Sequence, residues 1–186
     1  EAYTGWKKGD RCIAEDGIPL QDPEDRVIGD PNPDWTGSIR NSFKLFNKLT
    51  VSALVDIKQG GDVYNGTKGA LIFFGTHEST NIENPDLDGN LARGKQHVFE
   101  GKGPGAGTKV FLDQDTWYAF GLGNSFNGPD AQFVEDGSFV KLREVAVSYN
   151  LRHPALTRWT GLSDIDIRLS GRNLVTWTKY TGIDPE

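Results

Sequence analysis

The chain of 186 residues has one cysteine, three histidines and no methionine. Its apolar runs all fall well short of the ~20 residues a membrane-crossing helix needs, which excludes a helical membrane protein and leaves crossing by strands open. Cys12 has no second thiol with which to form an internal disulfide or a cysteine metal site, and reads as an inert thiol. His77, His97 and His153 are far apart, and there is no His-Glu-x-x-His helix or nucleophile elbow, so zinc hydrolysis and serine catalysis lack support. Basic residues number 20 against 26 acidic, net −6, with no basic block, which argues against nucleic-acid binding. Glu1 is not followed by a charged n-region and an apolar h-region, so the start is expected to be an excised or mature boundary.

Glycine and aromatics are abundant instead: 23 Gly, 10 Phe, 5 Trp and 5 Tyr, a mixture that favours strands and turns. Residues 1–34 are rich in Gly, Pro and Asp and read as loop, because Pro31 and Pro33 bar a central strand. From Trp35 a two-residue period sets in, with Trp35, Gly37, Ile39, Asn41, Phe43 and Leu45 on one face and Thr36, Ser38, Arg40, Ser42 and Lys44 on the other. Beyond Phe46, Asn47 and Lys48, the residues Leu49, Val51, Ala53, Val55 and Ile57 alternate with Thr50, Ser52, Asp56 and Lys58, Leu54 being the exception. The two runs predict a hairpin. A third strand is predicted to begin at Ser138, with Val145, Val147 and Tyr149 facing away from Glu144, Ala146 and Ser148. After a connection over 150–163 comes a fourth, in which Ile165, Ile167, Leu169, Gly171, Val175 and Trp177 oppose Asp166, Arg168, Ser170, Arg172 and Thr176.

Residues 59–137 form a long irregular region marked by Gly60-Gly61, Asn65-Gly66, Asp88-Gly89, Asn127-Gly128 and Asp136-Gly137, with short strands expected near 71–74 and 109–120. Loops beyond ~12–15 residues are usually functional. Asn84, Asp86, Asp88 and Gly89 imitate the opening of a calcium loop, but Lys95 occupies the position of the bidentate Glu, so a turn is preferred. The run Gly101-Lys102-Gly103-Pro104-Gly105-Ala106 matches a dinucleotide fingerprint only nominally, since it does not join a strand to a helix. Asp113 with Asp115, and Glu135 with Asp136, are acid pairs of a kind that an acidic chain produces by chance, and they read as solvated surface.

Two architectures fit four long strands with one apolar and one charged face. In a soluble sandwich the apolar faces meet in a core; in an outer-membrane barrel they face lipid while the charged faces line the lumen. The connections run short, very long, then moderate, which favours the barrel, as do Tyr149 and Trp177 near strand ends.

Specific residues add a resemblance. Asp136-Gly137-Ser138-Phe139-Val140-Lys141-Leu142-Arg143-Glu144-Val145, then Val147-Ser148-Tyr149, and the run from Arg172-Asn173-Leu174-Val175-Thr176-Trp177 to Tyr180-Thr181-Gly182-Ile183-Asp184-Pro185-Glu186 resemble the C-terminal part of SusC/RagA-type TonB-dependent outer-membrane transporters. Gly29-Asp30-Pro31-Asn32-Pro33-Asp34-Trp35-Thr36-Gly37 with Asn41, and Gly60-Gly61-Asp62-Val63-Tyr64-Asn65-Gly66, are similar to that family's landmarks in the same order. The resemblance implies an all-β fold: an antiparallel meander of long strands, part of a 22-stranded transmembrane β-barrel, with a long irregular extracellular loop. It also implies uptake of oligosaccharides or peptides without enzymatic activity or cofactor. The implied partners are the remainder of the barrel and its plug, a SusD-like surface lipoprotein, TonB, and outer-membrane lipid. On this reading residues 1–186 are a fragment, without TonB box or plug and ending before the closing strand.

The expected lipid-facing residues are Ile39, Phe43, Val51, Val55, Val145, Val147, Ile165, Ile167 and Leu169. Arg40, Lys44, Asp56, Asp166, Arg168 and Arg172 are expected to form cross-strand pairs or to meet the plug, with no substrate role assigned. Residues 29–34 and 59–137 should share one rim, and 46–48 and 150–163 the other. Trp117, Tyr118 and Phe120 are expected to anchor the long loop rather than stack on a sugar ring. A soluble carbohydrate-binding β-sandwich is the rival architecture, and a β-rich glycosidase comes third.

Overall fold

The computed structural model describes residues 10–22, 24–153, 155, 158 and 160–185. The elements run β1 (Pro33–Leu45), β2 (Leu49–Gly60), β3 (Asp62–Tyr64), α1 (Gly66–Phe73), β4 (Glu83–Pro85), β5 (Leu91–Val98), β6 (Lys109–Asp113), β7 (Val134–Asp136), β8 (Phe139–Leu151) and β9 (Ile165–Thr178). The chain divides into two units, one comprising residues 29–63 and 135–186 and the other residues 1–28 and 64–134. β3 and β7 pair as a two-stranded sheet.

The first unit is an antiparallel four-stranded sheet in the order β1-β2-β8-β9. The expected hairpin is present, with Leu45 opposite Leu49. Its turn places Phe46 and Asn47 at φ +52° and +54° and closes with Lys48 N–H donating to the Leu45 carbonyl at 3.1 Å. That double positive φ is the turn geometry whose twist matches the strands it joins. β1 begins at Pro33, two residues earlier than the alternation predicts, with a register irregularity between Pro33 and Trp35. Proline is tolerated there because the first residue of a strand can lack an amide donor. Asn150 N–H donates to the Lys48 carbonyl at 2.8 Å, so the 46–48 and 150–163 connections share one end, as expected. At the other end Lys58 lies opposite Phe139, and Phe139 opposite Thr178. Residues 1–9, 23, 154, 156, 157, 159 and 186, which the expected N-terminal loop, the 150–163 connection and the C-terminal motif include, lie outside the described residues.

The alternation in β8 is not continuous from Ser138. Val55 pairs with Leu142 but Leu54 with Glu144, so Arg143 is the extra residue of a bulge. Phe139 and Lys141 therefore share the face of Glu144, Ala146 and Ser148, and the two-residue period changes phase at Arg143. On β9 the matching irregularity puts Asn173 at φ +50°.

The second unit is more ordered than an irregular loop. β4, β5 and β6 form an antiparallel sheet, and Ile72, Val110, Leu112, Tyr118 and Phe133 make a buried core against which Ile18, Phe99 and Trp117 pack. The segment expected as a strand at 71–74 is instead the end of α1, and the strand expected over 109–120 stops at Asp113, where a π-type turn over Gln114–Ala119 takes over. Short apolar runs do not distinguish strand from buried helix. Here the capping chemistry decides: Asn65 Oδ1 accepts from Lys68 N–H at 3.1 Å, and Gln114 Nε2 donates to the last-turn carbonyls of Ile72 and Phe73. Residues 10–28, read as loop, are built into this unit, with Ile13 fully buried and bridged to Pro19, and Cys12 bridged to Lys102. The glycine run at 101–105 serves that packing. A Cβ at Gly103 would lie 2.2 Å from the Ile13 carbonyl oxygen, and one at Gly105 1.8 Å from that of Ala14.

Leu112 sits in this core at 4% exposure, whereas Phe120 is 79% exposed. Leu112→Ala is expected to cost about 2–5 kcal/mol and Phe120→Ala at most about 0.5 kcal/mol. Proteolysis of residues 64–134 in the native protein under rising urea separates the two, and equal sensitivity would mean that this core does not hold the unit.

Candidate functional site

The four-stranded sheet presents two chemically different surfaces, because successive side chains alternate and the register carries that alternation across four strands. On one surface Ile39, Phe43, Ile167 and Leu169 are 62%, 58%, 58% and 78% exposed. Val51, Val55 and Val145, on the inner strands, are half-buried by their neighbours along the sheet. Trp35 and Trp177 stand at one end of this face and Tyr149 at the other, all substantially exposed. The strands are 12 to 14 residues long, more than the ~9–11 that cross a bilayer at a tilt.

The opposite surface is a network of cross-strand polar contacts. Asp56 accepts from Ser38 Oγ at 2.7 Å and from Arg143 Nε at 2.6 Å. Arg143 also reaches Asn173 Oδ1 at 3.4 Å, joining β2, β8 and β9. Arg168 pairs with Glu144 at 2.7 Å, and Asn150 Nδ2 donates to Asp166 at 2.7 Å. The expected cross-strand pairing thus holds for Asp56, Asp166 and Arg168, and Arg40, Lys44 and Arg172 fall on this face by register. Sequence reasoning missed Arg143, because its role depends on a bulge that no periodicity announces. It also missed Lys141, which is 2% exposed, pairs with Asp184 and lies 4.6 Å from the centre of the Phe139 ring.

The other sequence motifs resolve into local structure. Asp86 Oδ1 accepts from the N–H groups of Asp88 and Asn90, so the segment imitating a calcium loop is the turn between β4 and β5. Asp113 caps the π-type turn through Thr116, Glu135 accepts from Thr181, and Asp136 from Ser138. His77 accepts from Ser79 N–H, and His97 lies edge-on to Phe99. Among the described residues no three His, Cys, Asp or Glu side chains gather as a metal site. Of the loop aromatics, Tyr118 is in the core, Trp117 packs on Phe99 at 5.1 Å between ring centres, and Phe120 is outside the core. Burial pushes the Tyr118 hydroxyl up from its usual value. Buried Asn124 ties down the following turn, donating to the carbonyls of Ala119 and Gly121 and accepting from the amides of Phe126 and Asn127. A groove of about 570 Å³ has Phe99, Trp117 and Leu122 in its lining. Among its charged lining residues, Arg26 holds Asp22 and Glu24, and Asp130 accepts from Tyr64.

No family model matches the chain. Two curated proteins of Formosa agariphila are similar to it. TonB-dependent receptor P3 is 26% identical over 168 residues, which cover 87% of this chain and 14% of that protein. TonB-dependent receptor P26 is 27% identical over 183 residues, covering 92% and 15%. The chain therefore spans about one seventh of the length of the curated relatives it matches. Among solved structures, the RagAB peptide importer in its open-open state superposes with a TM-score of 0.50 at 19% identity, over 91% of this chain and 17% of that one. At that identity the likeness is one of fold. The resemblance to SusC/RagA-type TonB-dependent transporters carried by the motifs is borne out, and so is the all-β antiparallel architecture.

Asp136 offers a pH test of the junction before β8. The Ser138 hydroxyl, and then its amide, donate to the Asp136 carboxyl and hold it below the usual 3.8. A lowered folded-state value means the stabilisation is fully present above the unfolded value and is lost as pH falls through the folded one. Ser138→Ala removes the larger cause, so the junction is expected to loosen at a higher pH. The onset of pepsin cleavage at residues 134–138 during acid titration measures this; an unchanged onset would show that Ser138 does not set it.

Proposed function

We propose that this chain is a wall section of an outer-membrane, TonB-dependent nutrient importer, and that residues 64–134 of its second unit are an extracellular elaboration of the loop between β2 and β8. One observation carries the reading: the sheet is a single layer whose apolar face is open, with Ile39 62% and Leu169 78% exposed. A sandwich would cover that face with a second sheet, and a glycosidase would need a pair of free carboxylates, whereas Asp113, Glu135 and Asp136 are committed to Thr116, Thr181 and Ser138. Hydrocarbon suits the apolar face, and the aromatics at its ends suit the headgroup levels. The polar face then lines a water-filled lumen. Edge strands cannot stay unpaired in lipid, so β1 and β9 are continued by further strands of the complete protein, as in a closed barrel of 22 strands with a plug inside it.

The short 46–48 turn belongs on the periplasmic rim and the second unit outside the cell, in keeping with the loop asymmetry of such barrels. There the unit is placed to meet a SusD-like surface lipoprotein, while energy comes from TonB through the plug. The cargo is an oligosaccharide or a peptide, and these residues supply wall and loop rather than chemistry.

Leu169 and Ser170 are neighbours on β9 that point to opposite faces. In the full-length protein Leu169→Arg is expected to cost about 2–4 kcal/mol near the bilayer midplane, and Ser170→Arg much less. Folding into lipid vesicles, followed by heat-modifiable migration, measures the difference. Equal tolerance of both substitutions would remove the lipid-facing assignment.

A further inference from the structure

β9 ends at Thr178, and the chain then folds back across the polar face of its own sheet. Several independent contacts hold it there. Thr181 donates its amide and hydroxyl to Glu135, the first at 2.7 Å. Lys58 Nζ donates to the Pro185 carbonyl at 3.5 Å, and Pro185 is fully buried. Lys141, itself almost without exposure, meets the Asp184 carboxylate and the face of Phe139. Register puts Lys58, Phe139 and Lys141 all on the polar face, so the segment is fixed to that side. A lysine ammonium is rarely buried unless paired, and the pair is strongly coupled to the position of both partners.

We infer that residues 180–185 form a fixed strap on the pore-facing wall, with Lys141 as its positioning residue, and that the strap occupies part of the pore mouth. This rests on the polar face being the pore side. The charges divide the work. Lys58 grips the backbone through a neutral carbonyl, whereas Lys141 grips through a charged pair whose acidic member is 53% exposed in its side chain. Releasing the Asp184 end therefore loosens the strap around Ile183 toward water, while Thr181 stays tied to Glu135 and the sheet is not unpicked.

Ile183 is fully exposed and makes a suitable reporter. In outer-membrane vesicles containing the full-length protein, with Cys12 replaced by serine (C12S), Ile183→Cys is labelled with three reagents. These are a small water-soluble maleimide, a maleimide on a long polyethylene glycol, and a lipid-borne maleimide. The small reagent is expected to react readily and the bulky one slowly. Lys141→Met should raise the bulky rate by about tenfold while leaving the small-reagent rate unchanged. Asp184→Asn should do the same, and it carries the test where Lys141→Met does not reach the folded form seen by heat-modifiable migration. Equal rates for the small and bulky reagents in the unaltered chain would overturn the confined position. An unchanged bulky rate in both variants would overturn the role of Lys141. Labelling by the lipid-borne reagent would instead sink the pore-facing reading itself.

Discussion

The antiparallel register that runs from the Leu45–Leu49 turn through β2, β8 and β9 assigns each side chain in the sheet to one of two surfaces. A slip of one residue would exchange those surfaces completely, turning Ile167 and Leu169 toward Asp56 and Glu144. The turn pins one end through two residues at positive φ, a conformation only a tight hairpin imposes on a phenylalanine. The bulge at Arg143 pins the middle. It shifts the phase of β8 without shifting that of β2, and so delivers two consecutive polar side chains, Arg143 and Glu144, to the same surface. There they take up Asp56 and Arg168. The irregularity and the Asp56–Arg143 pair support each other, because without the extra residue Arg143 would point to the other surface.

The long excursion between β2 and β8 solves a different problem. An ordered segment must offset roughly 1–2 kcal/mol of backbone entropy per residue, and glycine-rich sequence raises that cost. The second unit meets it with a small core around Leu112, Tyr118 and Phe133, and with amide side chains that replace the missing backbone ladders. Asn65 starts α1, Gln114 ends it, and Asn124 and Gln132 satisfy the carbonyls of the turn that follows. Residues 10–28 close the unit, at the cost of requiring glycine where the 101–105 backbone runs against Ile13 and Ala14.

These two solutions explain what was legible in the sequence. The long strands show because a surface that is half apolar writes itself as a two-residue period, and β1, β2 and β9 were readable nearly to the residue. β8 was readable in kind but not in phase, since a bulge leaves no compositional trace when the extra residue is an arginine among other polar ones. The second unit was largely hidden. Its core residues lie far apart in sequence, its strands are three to eight residues long, and its order comes from side-chain amides that look like ordinary loop composition. The Asn65-Gly66 pair was visible as a turn, yet it is the cap of a helix. The glycine run at 101–105 could be excluded as a phosphate loop, but its packing partner at 11–14 could not be seen from ninety residues away.

The apolar surface sets the remaining constraint. Each large aliphatic or aromatic side chain left in water forfeits about 1.5–3 kcal/mol relative to burial, and Ile39, Phe43, Ile167, Leu169 and Trp177 are all more than half exposed. Five such residues forfeit an amount comparable to the ~5–15 kcal/mol that keeps a typical domain folded. A water-soluble protein would have to recover this by covering the face, but the opposite face is no remedy, because it carries Asp56, Arg143, Glu144 and Arg168, whose charges need water or polar partners themselves. The two faces therefore call for two different solvents, and a sheet one layer thick is the arrangement that gives each its own.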